Sequence, residues 1–359
     1  MMLPKDYVRF RLTGEIATEV SDAAGTLLFD VPNRRWSREI LERLDIPFEM
    51  MPPCYESIDI CGRITSEVAE MTGLKAGTPV VGGGADNTCS AVGNGIVKSG
   101  RVSASLGTSG VVLAHMDEVR YDPKLRTHTF CHSVPNKWYI MGVMLSAGGA
   151  FRWFRDALGD SEKEEAQREE VDPYEILTRK AAEAPVGSEG LIFLPYLTGE
   201  RTPHGDANAK GVFFGITLRH GKPHMIRAVL EGVTYGMRDS FEIFREIGLP
   251  IEQVYATGGG ARSELWRQIQ ADVYNTELVT INIAEGPAFG AAILAGVGAG
   301  VYSSIEEATD ELIRITSRTQ PIPENVSIYD RYYQVYRALY PALKDQFDRV
   351  SEIVARLHG

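Results

Sequence analysis

Arg101-Val102-Ser103-Ala104-Ser105-Leu106, then Gly107-Thr108-Ser109-Gly110, then Val111-Val112-Leu113 is the stretch that decides the architecture. Its first six residues alternate between polar and apolar side chains, which predicts a strand with two different faces. Gly107 to Gly110 turns the chain, and the valine run beyond it reads as a partner strand, so the whole is a β-hairpin. The same texture recurs on either side. Pro79-Val80-Val81 runs as a short buried strand into Gly82-Gly83-Gly84, and Trp138 to Met144 ends at Ser146-Ala147-Gly148-Gly149. Val254-Tyr255-Ala256-Thr257 ends in Gly258-Gly259-Gly260 and opens onto a helix with Leu265, Trp266, Ile269 and Val273 on one face. A second helix begins near Pro223, carries Met225, Ile226, Val229, Leu230, Val233, Met237, Phe241 and Phe244, and stops by Gly248. Strands that end in glycine turns, mixed with helices, indicate an α/β fold.

The remaining segments say less. A helix is predicted from Pro4, a first-turn residue, to a stop at Gly14. Residues 31 to 78 are irregular, with Pro52-Pro53 as a breaker. The charged run at 160–170 reads as a solvated helix or loop, and 305 to 357 as helical.

A chain of 359 residues can hold two domains, and 44% hydrophobic with 24% charged residues is ordinary for a globular protein. The net charge of −11 argues against sequence-independent nucleic-acid binding, which needs a basic surface. Four cysteines without a CxxC pair argue against a disulfide framework or a zinc site and point to a reducing cytoplasm. No apolar run is long enough to span a membrane, and Lys5 and Asp6 break any secretory signal. These features predict a soluble intracellular enzyme.

No GxxxxGK[ST] occurs, so a nucleotide site would have to be assembled from several short turns. Backbone N–H groups and two hydroxyls at Gly107 to Gly110 could bond phosphate oxygens, although a plain hairpin uses the same residues. Gly258 to Gly260 could let a ligand lie flat near a helix N-terminus, or could simply join strand to helix. Asp86-Asn87 could take a proton from a substrate hydroxyl, yet both are also common turn residues. His128 and His132 are read as structural.

Gly211-Val212-Phe213-Phe214-Gly215-Ile216, followed after a spacer by His224-Met225-Ile226-Arg227-Ala228-Val229-Leu230-Glu231, matches a family signature throughout its length. With Pro195 to Pro203, similar to the loop between two halves, the chain resembles the FGGY family of carbohydrate kinases. Thr129 to Trp153, Leu3 to Glu15 and Gly82 to Gly93 are most similar to its xylulose-phosphorylating members.

The resemblance implies two actin-like (ribonuclease H-like) domains around a cleft, and transfer of the γ-phosphoryl of ATP, with Mg²⁺, onto D-xylulose. It implies Asp86 as general base and Asn87 as a sugar ligand. It places Gly107, Thr108 and Ser109 at the phosphates, Gly148 and Trp153 near the nucleotide, and Gly259, Gly260 and Ser263 at the adenosine. A homodimer is implied too, with no nucleic-acid or membrane partner. The alternatives are a kinase for ribulose, glycerol or gluconate, or a non-catalytic nucleotide-binding module.

Family members begin with a strand ending in Asp-x-Gly-Thr, and no such turn precedes Asp86. The expected division is therefore a C-terminal remnant of the first domain at 1–78, a C-terminal actin-like domain at 79–310, and a helical tail at 311–359 packing back toward the first domain. On the order of 150 residues would be absent, leaving an apolar surface exposed and kinase activity weak or nil.

Overall fold

The structure, a computed structural model, describes residues 1–358. Its first third is built from short pieces. Helix α1 (Pro4–Thr13) has proline in its first turn and ends at Gly14, whose φ of 77° is left-handed and whose N–H bonds Phe10 O. Two-stranded pairs follow, the last joining Ile60–Arg63 to Pro79–Val81, which is half-buried rather than buried. Val8, Ile16, Leu27 and Met71 stand exposed on this segment. Helix α2 (Asp86–Gly93) then leads into the main sheet.

The sheet has seven strands: β1 (Gly100–Leu106), β2 (Gly110–Met116), β3 (His128–Cys131), β4 (Trp138–Met144), β5 (Ile251–Gly258), β6 (Glu277–Ile281) and β7 (Ile315–Thr319). Their spatial order is β7-β6-β5-β1-β2-β4-β3. The hairpin predicted at 101–113 is β1 and β2, antiparallel, with Leu106 opposite Gly110. β5 lies parallel to β1 and β6 parallel to β5, while β7 closes the edge antiparallel.

Alternation sends side chains to two faces. Val102, Ala104, Val112, Ile140, Val254 and Leu278 join the large core under α3 (Gly148–Leu158), α6 (Lys222–Glu246) and α7 (Glu264–Tyr274). Leu113, Tyr139, Tyr255 and Val279 face the other way, toward Ala91 of α2. There α2 crosses α8 (Gly286–Gly298) backbone on backbone, because a Cβ on Gly93 or Gly290 would overlap the opposing main chain.

The signature helix α6 is buried almost all round, which suits a central helix rather than an amphipathic one. Its Glu231 carboxylate accepts from Arg227 Nε at 2.7 Å, Gly187 N at 2.9 Å, Ser188 Oγ at 2.9 Å and Tyr329 OH at 2.8 Å. The signature's Arg and Glu therefore tie α6 to a loop and to the C-terminal helix α10 (Pro323–His358).

Two expectations change. The region from 305 is not continuous helix: α9 (Ile305–Leu312) is followed by strand β7, so the sheet extends past 310. Helix α10 (Pro323–His358) packs on α6 and α7, where its tyrosines fill the large core. The charged run forms α4 (Asp160–Glu169), but its Glu162 is buried and holds Lys180 at 2.9 Å and Lys222 at 2.5 Å.

Candidate active site

β1 and β5 run side by side and end level, with Leu106 opposite Gly258. The carboxyl ends of parallel strands are the usual place for a ligand in an open α/β sheet. Here they open into a cleft of ≈ 550 Å³. Gly107 and Thr108 of the hairpin, Gly148 of α3, and Gly259, Gly260 and Ser263 of the turn after β5 all line it.

The glycines divide by physical reason. A Cβ on Gly148 would come 2.5 Å from Gly107 O, and one on Gly149 2.9 Å from Thr108 O. Those close approaches dock the hairpin on the start of α3, where Gly148 N bonds Gly107 O at 2.8 Å and Gly149 N bonds Thr108 O at 2.9 Å. Gly258 (φ 79°) and Gly260 are likewise forced by packing on Leu106. Gly107 and Gly259 meet nothing closer than 3.6 Å and 3.9 Å. Packing does not require glycine at these two positions, which leaves bare backbone facing the cleft.

The hydroxyls of Thr108 and Ser109 make no hydrogen bond among the described residues, and both side chains are exposed. Ser263 Oγ caps α7 by accepting from Trp266 N at 3.3 Å, so the positive end of that helix dipole is directed at the cleft. Arg267 braces the turn through Ala261 O at 2.7 Å and Arg262 O at 3.0 Å. Ser109 lies at the hairpin tip outside the lining, and Trp153 stacks on Phe193 with centroids 6.1 Å apart, also outside it.

Asp86 is the first residue of α2, on the opposite face of the sheet from α3 and α7. It is exposed, and its Oδ1 accepts from Asn87 N at 2.7 Å and Asn87 Nδ2 at 3.0 Å. Oδ2 has no partner among the described residues. The turn leading into it is held from far upstream: Arg9 donates to Gly82 O at 2.7 Å, Lys5 to the same oxygen at 3.1 Å, and Ala85 N to Ser21 Oγ at 2.9 Å. Beneath it, burial pushes the Glu19 carboxyl up, against the pull of Lys5 3.3 Å away.

Residues 1–93 match the model of the N-terminal domain of the FGGY family of carbohydrate kinases, and residues 102–299 match that of its C-terminal domain. The chain belongs to the FGGY family of carbohydrate kinases. It is 41% identical over 344 residues to the xylulose kinase of Bacillus subtilis, covering 96% of this chain and 67% of that one. Among solved structures, the "xyloylose kinase" of Brucella ovis superposes with a TM-score of 0.87 at 36% identity, covering 96% of this chain and 69% of that one. Gluconate kinase from Lactobacillus acidophilus gives 0.89 at 29% identity, covering 96% and 68%.

As a member of this family the protein is a phosphotransferase with an alcohol group as acceptor and an actin-like fold. Sequence reasoning missed part of the cleft of this FGGY kinase. Arg152 of α3, Arg262, and Asp172, Tyr174, Glu175 and Thr178 around the start of α5 (Pro173–Ala181) also line it. Asp172-Pro173 was a legible helix start, but nothing local says that this start faces the glycine turns.

Proposed function

We propose that this kinase phosphorylates D-xylulose, with ATP as donor and Asp86 as base. The observation that carries the sugar is the likeness, over nearly the whole chain, to a protein named xylulose kinase. The donor reading is supported by the cleft, where bare backbone at Gly107 and Gly259 meets a capped helix N-terminus. Thr108 and Ser109 would hold phosphate oxygens, and the flat Gly259-Gly260 turn would bear the nucleoside. Asn87 orients Asp86 by occupying Oδ1, which leaves Oδ2 to take the proton of the sugar hydroxyl. The hydroxyl oxygen then attacks the γ-phosphorus, the bond to the β,γ-bridging oxygen breaks, and ADP leaves.

Among the described residues no group of three or more His, Cys, Asp or Glu side chains could hold a metal ion. Mg²⁺ would enter with the nucleotide, bound by phosphate oxygens and water, and would neutralise charge there. No helix of the described residues is long and apolar enough to cross a membrane. We also carry the homodimer as part of the proposal; sedimentation of the pure chain tests it.

A second reading, gluconate as acceptor, is favoured by the superposition on a gluconate kinase, since the fold accommodates either sugar. The test is ADP release with MgATP and a panel of D-xylulose, gluconate, ribulose and glycerol, with Asp86→Ala as control. Weak ADP formation that needs D-xylulose and disappears in the variant is the expected result. A higher kcat/KM with gluconate, or sugar-dependent turnover that survives Asp86→Ala, would overturn the assignment.

A further inference from the structure

The cleft has a direction along α3. Gly148 touches the phosphate hairpin, and a helix rises about 1.5 Å per residue, so Arg155 stands about 10 Å further on. Tyr174, in the first turn of α5, packs on Phe151 with centroids 5.1 Å apart and lies under the guanidinium of Arg155 at 4.9 Å. The start of α5 is therefore the end of the cleft remote from the hairpin. A nucleotide with its phosphates at Gly107 and Thr108 brings its base there, beside Phe151 and Trp266, whose rings meet edge to face at 5.5 Å.

On α5, Glu175 and Thr178 are three residues apart and share the face that lines the cleft. Thr178 Oγ1 already donates to Tyr174 O at 2.9 Å and Glu175 O at 3.1 Å, so toward the cleft it can only accept. Neighbouring acids are committed elsewhere. Asp172 caps Tyr174 N at 2.9 Å, Asp156 pairs with Arg155 at 2.6 Å, and Glu169 with Arg179 at 2.5 Å. The Glu175 carboxylate makes no hydrogen bond or ion pair among the described residues, though the residue lines the cleft. Arg152 and Arg262 also line the cleft.

We propose that Glu175 reads the base of the nucleotide by accepting from the exocyclic amine of adenine, and so selects a 6-amino over a 6-oxo purine. The inference rests on the nucleotide reading given above and adds the residue that sets base preference. A carbonyl at the same position would face the carboxylate lone pair to lone pair, so the hydrogen bond is lost and the contact becomes repulsive.

The test is the affinity of the full chain for ADP and for inosine diphosphate, by calorimetry, in the wild type, Glu175→Ala and Glu175→Gln. Glu175 is exposed, so the variants should fold, and circular dichroism checks that. The wild type should prefer ADP by roughly tenfold or more. Glu175→Ala should weaken ADP and abolish the preference. Glu175→Gln, whose amide offers a donor as well as an acceptor, should bind inosine diphosphate about as well as ADP. A wild type without base preference, or an Ala variant that keeps it, refutes the role of Glu175 while leaving the nucleotide site standing. A wild type that binds neither nucleotide refutes the site as well.

Discussion

Gly290 lies so close to the carbonyl oxygen of Cys89 that no Cβ fits between them. Gly93 meets Gly286 in the same way, so α2 and α8 touch through their main chains. This crossing sets where Asp86 stands relative to the sheet. Gly290→Ala should therefore destabilise the protein by about 1–3 kcal/mol, the usual cost of overpacking. A lowered midpoint in urea unfolding is the expected reading, and an unchanged midpoint would mean that the helices have room to part.

The two adjacent glycines of the turn after β5 should behave differently. Gly259 has open space around its Cβ position, whereas a Cβ on Gly260 would come 2.7 Å from Leu106 Cβ. Gly259→Ala should leave thermal stability within about 0.5 kcal/mol of wild type and weaken ADP binding by about tenfold. Gly260→Ala should lower stability first. Unimpaired ADP binding by a folded Gly259→Ala would count against the turn as a nucleotide platform.

The Arg227–Glu231 pair within the family signature is structural. Both side chains are buried, and Glu231 answers donors from α6, the 187–188 loop and α10. Removing the carboxylate strands a buried guanidinium, which costs about 3–5 kcal/mol. Glu231→Ala should show that loss in denaturant unfolding, while any fraction that stays folded keeps its ADP affinity.

Stability should fall as pH rises from about 4 to about 8. Burial pushes the Glu200 carboxyl up to about 8 and that of Asp239 up to about 7, whereas unfolded carboxylates titrate near pH ~4. Within that window the folded chain binds more protons than the unfolded chain, so raising the pH favours unfolding, by as much as about 1.4 kcal/mol per pH unit for each group. Below it the sign reverses. Bonds from Arg126 hold Asp122 near 2, and Glu162 is also near 2 because Lys222 and Lys180 outweigh its burial. Unfolding midpoints should thus peak near pH ~4, where the two windows meet, and Glu200→Gln should flatten the decline above it. Equal midpoints at pH 5 and pH 8 would contradict this account.

The hairpin at 101–113, the helix stop at Gly14 and the extent of α6 were legible because each is written in neighbouring residues: alternation, a left-handed turn, a period near 3.6. Strand β6 and helix α8 escaped notice, and β7 was absorbed into an expected helical region. Ile315 to Thr319 is a short edge strand whose pairing partner is some forty residues earlier, at 277–281.

By itself, the sequence determined that this is an α/β chain with glycine turns at strand ends, and which residues could offer backbone to a phosphate. Only the tertiary structure decided that β1 and β5 end level, that the start of α5 lines their cleft, and that Gly107 and Gly259 are open while Gly148, Gly258 and Gly260 are filled. Turns and alternation depend on neighbouring residues, whereas a cleft depends on which distant segments the strand order brings together.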